Sequence, residues 1–237
     1  MSTDNYAPQM SQTTRLYPSI FASNYLVLSN RRARMQDFFA RAEKLGKVLD
    51  VGAQYCPYYP LFRDNCESYN STDMVDTPIV DIVSNAEEMA VADCSYDVVL
   101  CTQVLEHCEN PQRIVNECHR VLKSRGIFVV TVPSMYPVHG YPSDNWRVMP
   151  EGLRHLLSAF SEVEVLGELA FAESFASVNC HFGHILTGRM GKMSIAINPL
   201  WNFTTNVCGK MLSLLLRPVS RSNFSSFSMN LWAEARK

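Results

Sequence analysis

Two positions carry the first hint of chemistry, Gly52 and Asp73. The stretch KVLDVGAQYCPYYPLF (47–62) opens with a short buried-strand signal, Val48-Leu49-Asp50-Val51, and breaks at Gly52. A weaker strand pattern, Ser68-Tyr69-Asn70-Ser71-Thr72, leads to Asp73. A glycine turn after one strand lets the backbone approach a ligand closely. An acid at the end of the next strand can accept hydrogen bonds from both hydroxyls of a ribose. The pyrophosphate pattern G-x-G-x-x-G is not met, because Gln54 and Pro57 occupy its later glycine positions. A ligand without phosphates therefore fits this turn better, and an ordinary αβ corner is the alternative reading.

The surrounding elements must hold these two positions at one edge. A helical pattern over about 29–45 puts Met35, Phe38, Phe39 and Ala42 on one face and most of its arginines elsewhere, with Ser29 or Asn30 as cap and Gly46 as terminator. After the first two strands come a third (79–83), a short helix (86–89) and a fourth strand (96–101). The amphipathic helix 111–122, capped by Asn110, leads to the uninterrupted apolar strand 127–132. A helix over 149–160, a strand over 163–166 and a closing strand over 228–235 complete the pattern. Alternating strands and helices predict an α/β fold with a doubly wound sheet. Its ligands bind beyond the carboxyl ends of the strands, so Gly52, Asp73, Asn85, Cys101 and Pro133 should converge.

Residues 1–28 read as a mobile polar tail and 29–237 as a single domain. Within it, 167–227 changes character: apolar clusters spaced by Gly, Ser and Asn, with one helix over 207–216. This segment reads as an inserted lid on the substrate side, or as a core-packing excursion with no binding role. A net charge of -2 gives no reason to expect nucleic-acid binding. The eight cysteines form no C-x-x-C pair, several sit in apolar runs and no signal peptide precedes them, so reduced thiols in a cytoplasmic protein are expected. Cys180-His181-Phe182-Gly183-His184 has the residue types of a metal site but no completing cluster, and no metal is expected. No apolar run reaches transmembrane length; 207–216, with Lys210, Arg217 and Arg221 nearby, could still lie against a membrane.

Four stretches in order, VLDVGAQYCPY (48–58), SYDVVLCTQVLEH (95–107), HRVLKSRGIFVVTVP (119–133) and HGYPSDNWRVMPEGLRHLL (139–157), resemble the class I S-adenosylmethionine-dependent methyltransferases. Within that family the chain is similar to the type 11-like branch with a Pro-Tyr after the glycine turn. The resemblance covers roughly 46–166 and implies a Rossmann-like sheet of seven strands, mostly parallel, with the last antiparallel. It implies S-adenosylmethionine as cofactor. Asp50 and Gly52 would border its methionine end, with Gln54 beside the carboxypropyl arm. Asp73 would take the ribose hydroxyls, Asn85 and Ala86 the adenine, and Cys101, Thr102 and Gln103 would flank the sulfonium. Ala53-Gln54 in place of Gly-x-Gly, Asn85 in place of Asp and Arg125 in place of Gly depart from the family pattern.

Methyl transfer to a hydroxyl also needs a group that takes the proton. His139 and His107 are the candidate bases, with Asp144 as orienter or alternative base, because histidine titrates near neutrality. Trp146, Arg147 and Tyr136 are candidate substrate contacts; the bland reading of Asp144 and Arg147 is a loop clamp. Glu106 reads as a structural corner residue. The acceptor implied is a hydroxyl or amine of a small molecule or glycan. The alternative is a degenerate fold serving as a non-catalytic partner-binding subunit, and a homodimer is left open.

Overall fold

The computed structural model describes residues 12–42, 44–139, 143–188, 190–216 and 227–237, with the side chains of 12 and 13 excepted. In chain order the elements are α1 (Gln12–Leu16), α2 (Tyr25–Arg41), β1 (Leu45–Val51), α3 (Tyr59–Phe62), β2 (Cys66–Asp73), β3 (Ile82–Val83) and β4 (Tyr96–Thr102). They continue with a 3-10 turn at Leu105–His107, then α4 (Pro111–Val121), β5 (Leu122–Pro133), α5 (Pro150–Leu156), β6 (Ser161–Gly167) and α6 (Phe171–Thr187). A second 3-10 turn (Gly191–Met193), α7 (Ser194–Leu215) and β7 (Asn230–Arg236) close the chain.

The seven strands form one sheet in the order β3-β2-β1-β4-β5-β7-β6. Strands β1 to β5 pair parallel, and β7 runs antiparallel between β5 and β6. Strand alternation splits the core in two. Leu49, Val51, Val99, Cys101, Phe128 and Val130 face α4 and α5, whereas Val48, Val98, Leu100 and Val129 face α2 and α3. Both faces are covered, so the central strands read as continuous apolar runs. Asn110 caps α4 as expected, its side chain accepting from the backbone N–H groups of Gln112 and Arg113.

Several boundaries differ from expectation. α2 begins at Tyr25, and Leu26, Val27 and Leu28 are buried, so 12–28 is not a tail. Residues 1–11 lie outside the described residues, as do Arg217 and Arg221. Ser29 and Asn30 do not cap; their side chains bond back to the Leu26 carbonyl inside the helix. Gly46 sits in β1 rather than ending a helix, and a Cβ there would strike the Asp97 carboxylate. The third strand shrinks to Ile82–Val83, and 86–89 forms a turn in which Asn85 Oδ1 takes the Glu87 N–H at 2.9 Å. Arg31, expected on the polar side of α2, is buried in a bidentate pair with Glu168 at 2.7 and 2.8 Å. The sequence around it did not show this role, because a buried Arg is tolerated only when paired and its partner lies 137 residues away.

The largest difference lies between β6 and β7. The single helix expected over 207–216 is the end of a 22-residue helix, and a second helix of 17 residues precedes it. The two pack antiparallel as a hairpin: Gly209 admits Ala176, and Gly183 admits Trp201. Small residues at the close contacts define this pairing, and the apolar residues of α6 at helical spacing face outward instead.

Candidate functional site

The carboxyl ends of β1, β2, β4 and β5 share one edge, and the turn after β1 is built from backbone conformation. Gly52 has φ +67, and a Cβ there would strike Val104. Further positions of this edge are held left-handed without glycine: Gln54 at φ 47, in the second glycine position of the richer pattern, and Cys56 at φ 46, with Gln103 at φ 58 after β4. Three non-glycine residues in this region of backbone space are unusual, and each costs about 1 kcal/mol. They therefore mark a turn held by its surroundings. Gln54 bends without glycine and its amide donates to Asp73 Oδ2 at 3.0 Å; the Val75 amide donates to Oδ1 at 2.9 Å. The Asp73 carboxylate is thus oriented by two backbone donors, and each oxygen keeps a lone pair for a further hydroxyl. This fits a ribose.

Other expected cofactor residues fare differently. Asp50 is buried, and its carboxylate accepts from Tyr69 Oη on β2. Burial pushes its pKa up to about 7, with the Tyr69 hydrogen bond pulling the other way. Cys101 does not flank this edge: its thiol lies in the core against Cys118 of α4, and strand alternation turns it from the face that Thr102 presents. Gln103 reaches Thr131 Oγ1 at 3.3 Å. Asn85 is exposed, with its carbonyl oxygen on the Glu87 amide, and Ala86 is half-buried beside it.

The second half of the edge is built from side chains. Glu106 is fully buried, and neither carboxylate oxygen has a hydrogen-bond partner. Its Oε1 lies 3.8 Å from His107 Nε2 and 3.8 Å from His139 Nε2. Burial raises its pKa to about 7. His107 Nδ1 meets the Ser143 carbonyl, and His139 Nδ1 lies 3.3 Å from the Pro137 carbonyl and 3.4 Å from Asp144 Oδ2. These acceptors assign a proton to Nδ1 of each ring and leave both Nε2 lone pairs turned toward Glu106. Burial lowers the His139 pKa, outweighing the opposing pull of Asp144. Glu106, His107 and His139 are also the group among the described residues whose ligand atoms, within 4.8 Å of one another, could hold a metal ion.

The remaining candidates form the frame. Asp144 accepts from the His139 amide at 2.8 Å and pairs bidentately with Arg147, which holds its carboxyl well below the usual range. Arg147 spends its other donors on the carbonyls of Tyr136, Pro137 and Trp146. All five guanidinium N–H groups are used, so the clamp reading holds and Arg147 has no donor left for a substrate. Trp146 donates from Nε1 to the Cys108 carbonyl at 3.0 Å and is 41% exposed as a residue. Tyr136 packs edge-on against His139 at 5.1 Å and against His181 of α6 at 5.0 Å. The Cys180-His181-His184 run is structural: Cys180 is buried against Asn206, and His184 faces Asn202. Sequence reasoning singled out Glu106 but read it as a structural corner; the structure places it in the 3-10 turn after β4, buried between the two histidines.

A doubly wound sheet of this order, with an antiparallel seventh strand and an acid closing β2, defines the class I methyltransferase fold. Residues 49–130 of the chain match the family model described as a methyltransferase domain. A probable S-adenosylmethionine-dependent methyltransferase from Mycolicibacterium smegmatis is 43% identical over 58 residues. That match spans 24% of this chain and 23% of the relative. Among solved structures, a [4+2]-cyclase aligns with TM-score 0.56 at 17% identity, over 93% of this chain and 85% of its own. A SAM-dependent methyltransferase from Archaeoglobus fulgidus aligns with TM-score 0.55 at 16% identity, over 91% and 97%.

Proposed function

We propose that this chain is an S-adenosylmethionine-dependent methyltransferase acting on a hydroxyl of a small molecule or glycan. The observation that carries this reading is the edge itself, where an oriented Asp73 and a buried, unpartnered Glu106 between two histidines stand at neighbouring strand ends. Asp73 would hold the ribose, the Gly52–Gln54 turn would pass the methionine arm, and Asn85 with Ala86 would meet the adenine. The cofactor supplies a methyl group already activated on a sulfonium. What this chain must add is alignment and removal of the acceptor's proton. His139, its Nδ1 proton held by Pro137 and Asp144, offers Nε2 as the base, and Glu106 stabilises the imidazolium that forms. His107 offers a second nitrogen to the same space. An amine acceptor needs no such apparatus to the same degree, which favours the hydroxyl. Arg147 and Asp144 keep the loop in place, and Trp146 and Tyr136 present ring surface to the acceptor.

Calorimetric titration with S-adenosylhomocysteine tests the reading. Wild-type protein should bind in the micromolar range, and Asp73→Ala should lose about 2 kcal/mol or more, roughly thirtyfold, if two hydrogen bonds to a charged acceptor go. Absence of binding to the wild type would replace this reading with that of a non-catalytic, partner-binding fold.

A further inference from the structure

The α6–α7 hairpin has its polarity inverted. Its inward face carries amides: Asn202 donates to the Phe21 carbonyl at 3.0 Å, and Asn206 donates to those of Ile20 and Ala22 at 2.7 and 3.0 Å. Both asparagines are buried. Its outward face is apolar. On α6, Phe175, Val178, Phe182 and Ile185 are all exposed and recur at helical spacing, Ile185 at 73%. On α7, Leu200, Phe203, Met211, Leu214 and Leu215 repeat the pattern, Leu215 at 75%. A helix pair stable in water alone would show the opposite arrangement, and a contiguous apolar face of this kind marks a binding surface.

Charge says what binds. Between Glu173 and Glu234 the sequence holds five basic residues and no Asp or Glu, in a chain with 23 acidic residues elsewhere; of the five, Lys192 and Lys210 are among the described residues, Lys192 exposed at the turn between the two helices. Apolar surface with basic residues and no acid is complementary to a bilayer bearing anionic headgroups. A second copy of the chain is a poorer fit, because the hairpin offers Lys192 and, after Glu173, no acid of its own to pair with a copy's lysine. No described helix is long and apolar enough to cross a membrane, so such a contact lies along the surface. The hairpin also touches the acceptor edge, through His181 on Tyr136 and Tyr136 on His139.

We propose that the α6–α7 face docks on an anionic lipid bilayer and so brings the acceptor edge to an acceptor carried at the membrane. The docking surface stands on its own; the membrane-borne acceptor rests on the methyltransferase reading. Sedimentation of the full chain with vesicles of phosphatidylcholine alone, and of phosphatidylcholine with about a third phosphatidylglycerol, tests it. Binding to the anionic vesicles should fall roughly tenfold or more on neutral vesicles or at high salt. It should be lost in Ile185→Glu/Leu215→Glu with S-adenosylhomocysteine affinity unchanged. Lys192→Glu, a fully surface change, should weaken vesicle binding without touching the apolar face, and it serves if the double variant does not fold. No sedimentation with anionic vesicles at low salt overturns the proposal. So does a wild-type dimer that Ile185→Glu/Leu215→Glu dissolves, in protein that ignores vesicles. Vesicle binding without cofactor binding would keep the docking face and remove the methyltransferase reading instead.

Discussion

The edge formed by β1 and β2 and the edge formed by β4 and β5 lie side by side, yet they are made of different things. The first is built from backbone: left-handed residues at Gly52, Gln54 and Cys56, and two amides that fix Asp73. The second is built from side chains drawn from distant parts of the sequence, with Glu106, His107 and His139 converging and Asp144 and Arg147 bracing them. Backbone-built sites bind a ligand of fixed shape, because conformation offers amides and space rather than charge. Side-chain-built sites set protonation, because desolvation decides which group is charged. On the proposed function, the first edge would bind the cofactor and the second would handle the proton.

The largest effect expected is on the backbone-built edge. Gly52→Ala forces a Cβ into Val104 at a position whose φ is already left-handed. Strain and overpacking together should cost about 2–4 kcal/mol of stability, read from chemical denaturation. A cost below about 1 kcal/mol would mean that the turn relaxes freely and that its conformation is not what holds the first edge.

The two edges also differ in how far they could be read from the sequence. Gly52 and Asp73 were legible because a turn glycine and a strand-end acid are local signals, and Asn110 before Pro111 announced its helix in the same way. Glu106 was not legible, since its meaning depends on what surrounds it: an acid between Leu105 and His107 looks the same whether it is solvated or sealed among histidines. Cys101 was assigned to the wrong side because only the pairing of β4 with β1 and β5 shows which face each residue takes. The α6–α7 hairpin escaped because its period is carried by outward apolar residues and inward amides, the reverse of the usual pattern.

A middle-sized effect separates the edges by pH. Glu106 has its pKa raised by burial to about 7. The folded state therefore holds that proton more tightly than the unfolded state, and stability from this group is present at low pH and lost as pH rises toward 7. Against an ordinary glutamate value near 4.5, this is about 3 kcal/mol. Asp50, raised in the same direction, contributes a separate loss over the same window. Glu106→Gln should therefore gain on wild type by about 3 kcal/mol in unfolding free energy between about pH 4 and pH 8. Methyl transfer should rise with pH through about 7 and survive a metal chelator; complete loss with chelator would turn the Glu106, His107 and His139 group from proton handling to cation binding.

The smallest effect returns to Gln54. Its left-handed φ of 47 carries a cost that glycine would not pay, so Gln54→Gly should relieve the strain and change stability by no more than about 1 kcal/mol. The informative readout is affinity for S-adenosylhomocysteine. The Gln54 amide, which meets Asp73, belongs to the backbone and survives the substitution. If the first edge works through backbone alone, affinity should stay within about threefold of wild type, under about 1 kcal/mol. A larger loss would mean that the Gln54 side chain itself holds the cofactor. The glycine-poor turn would then be a binding device of this chain, and the contrast between a backbone edge and a side-chain edge would fail at the position that departs most from the family pattern.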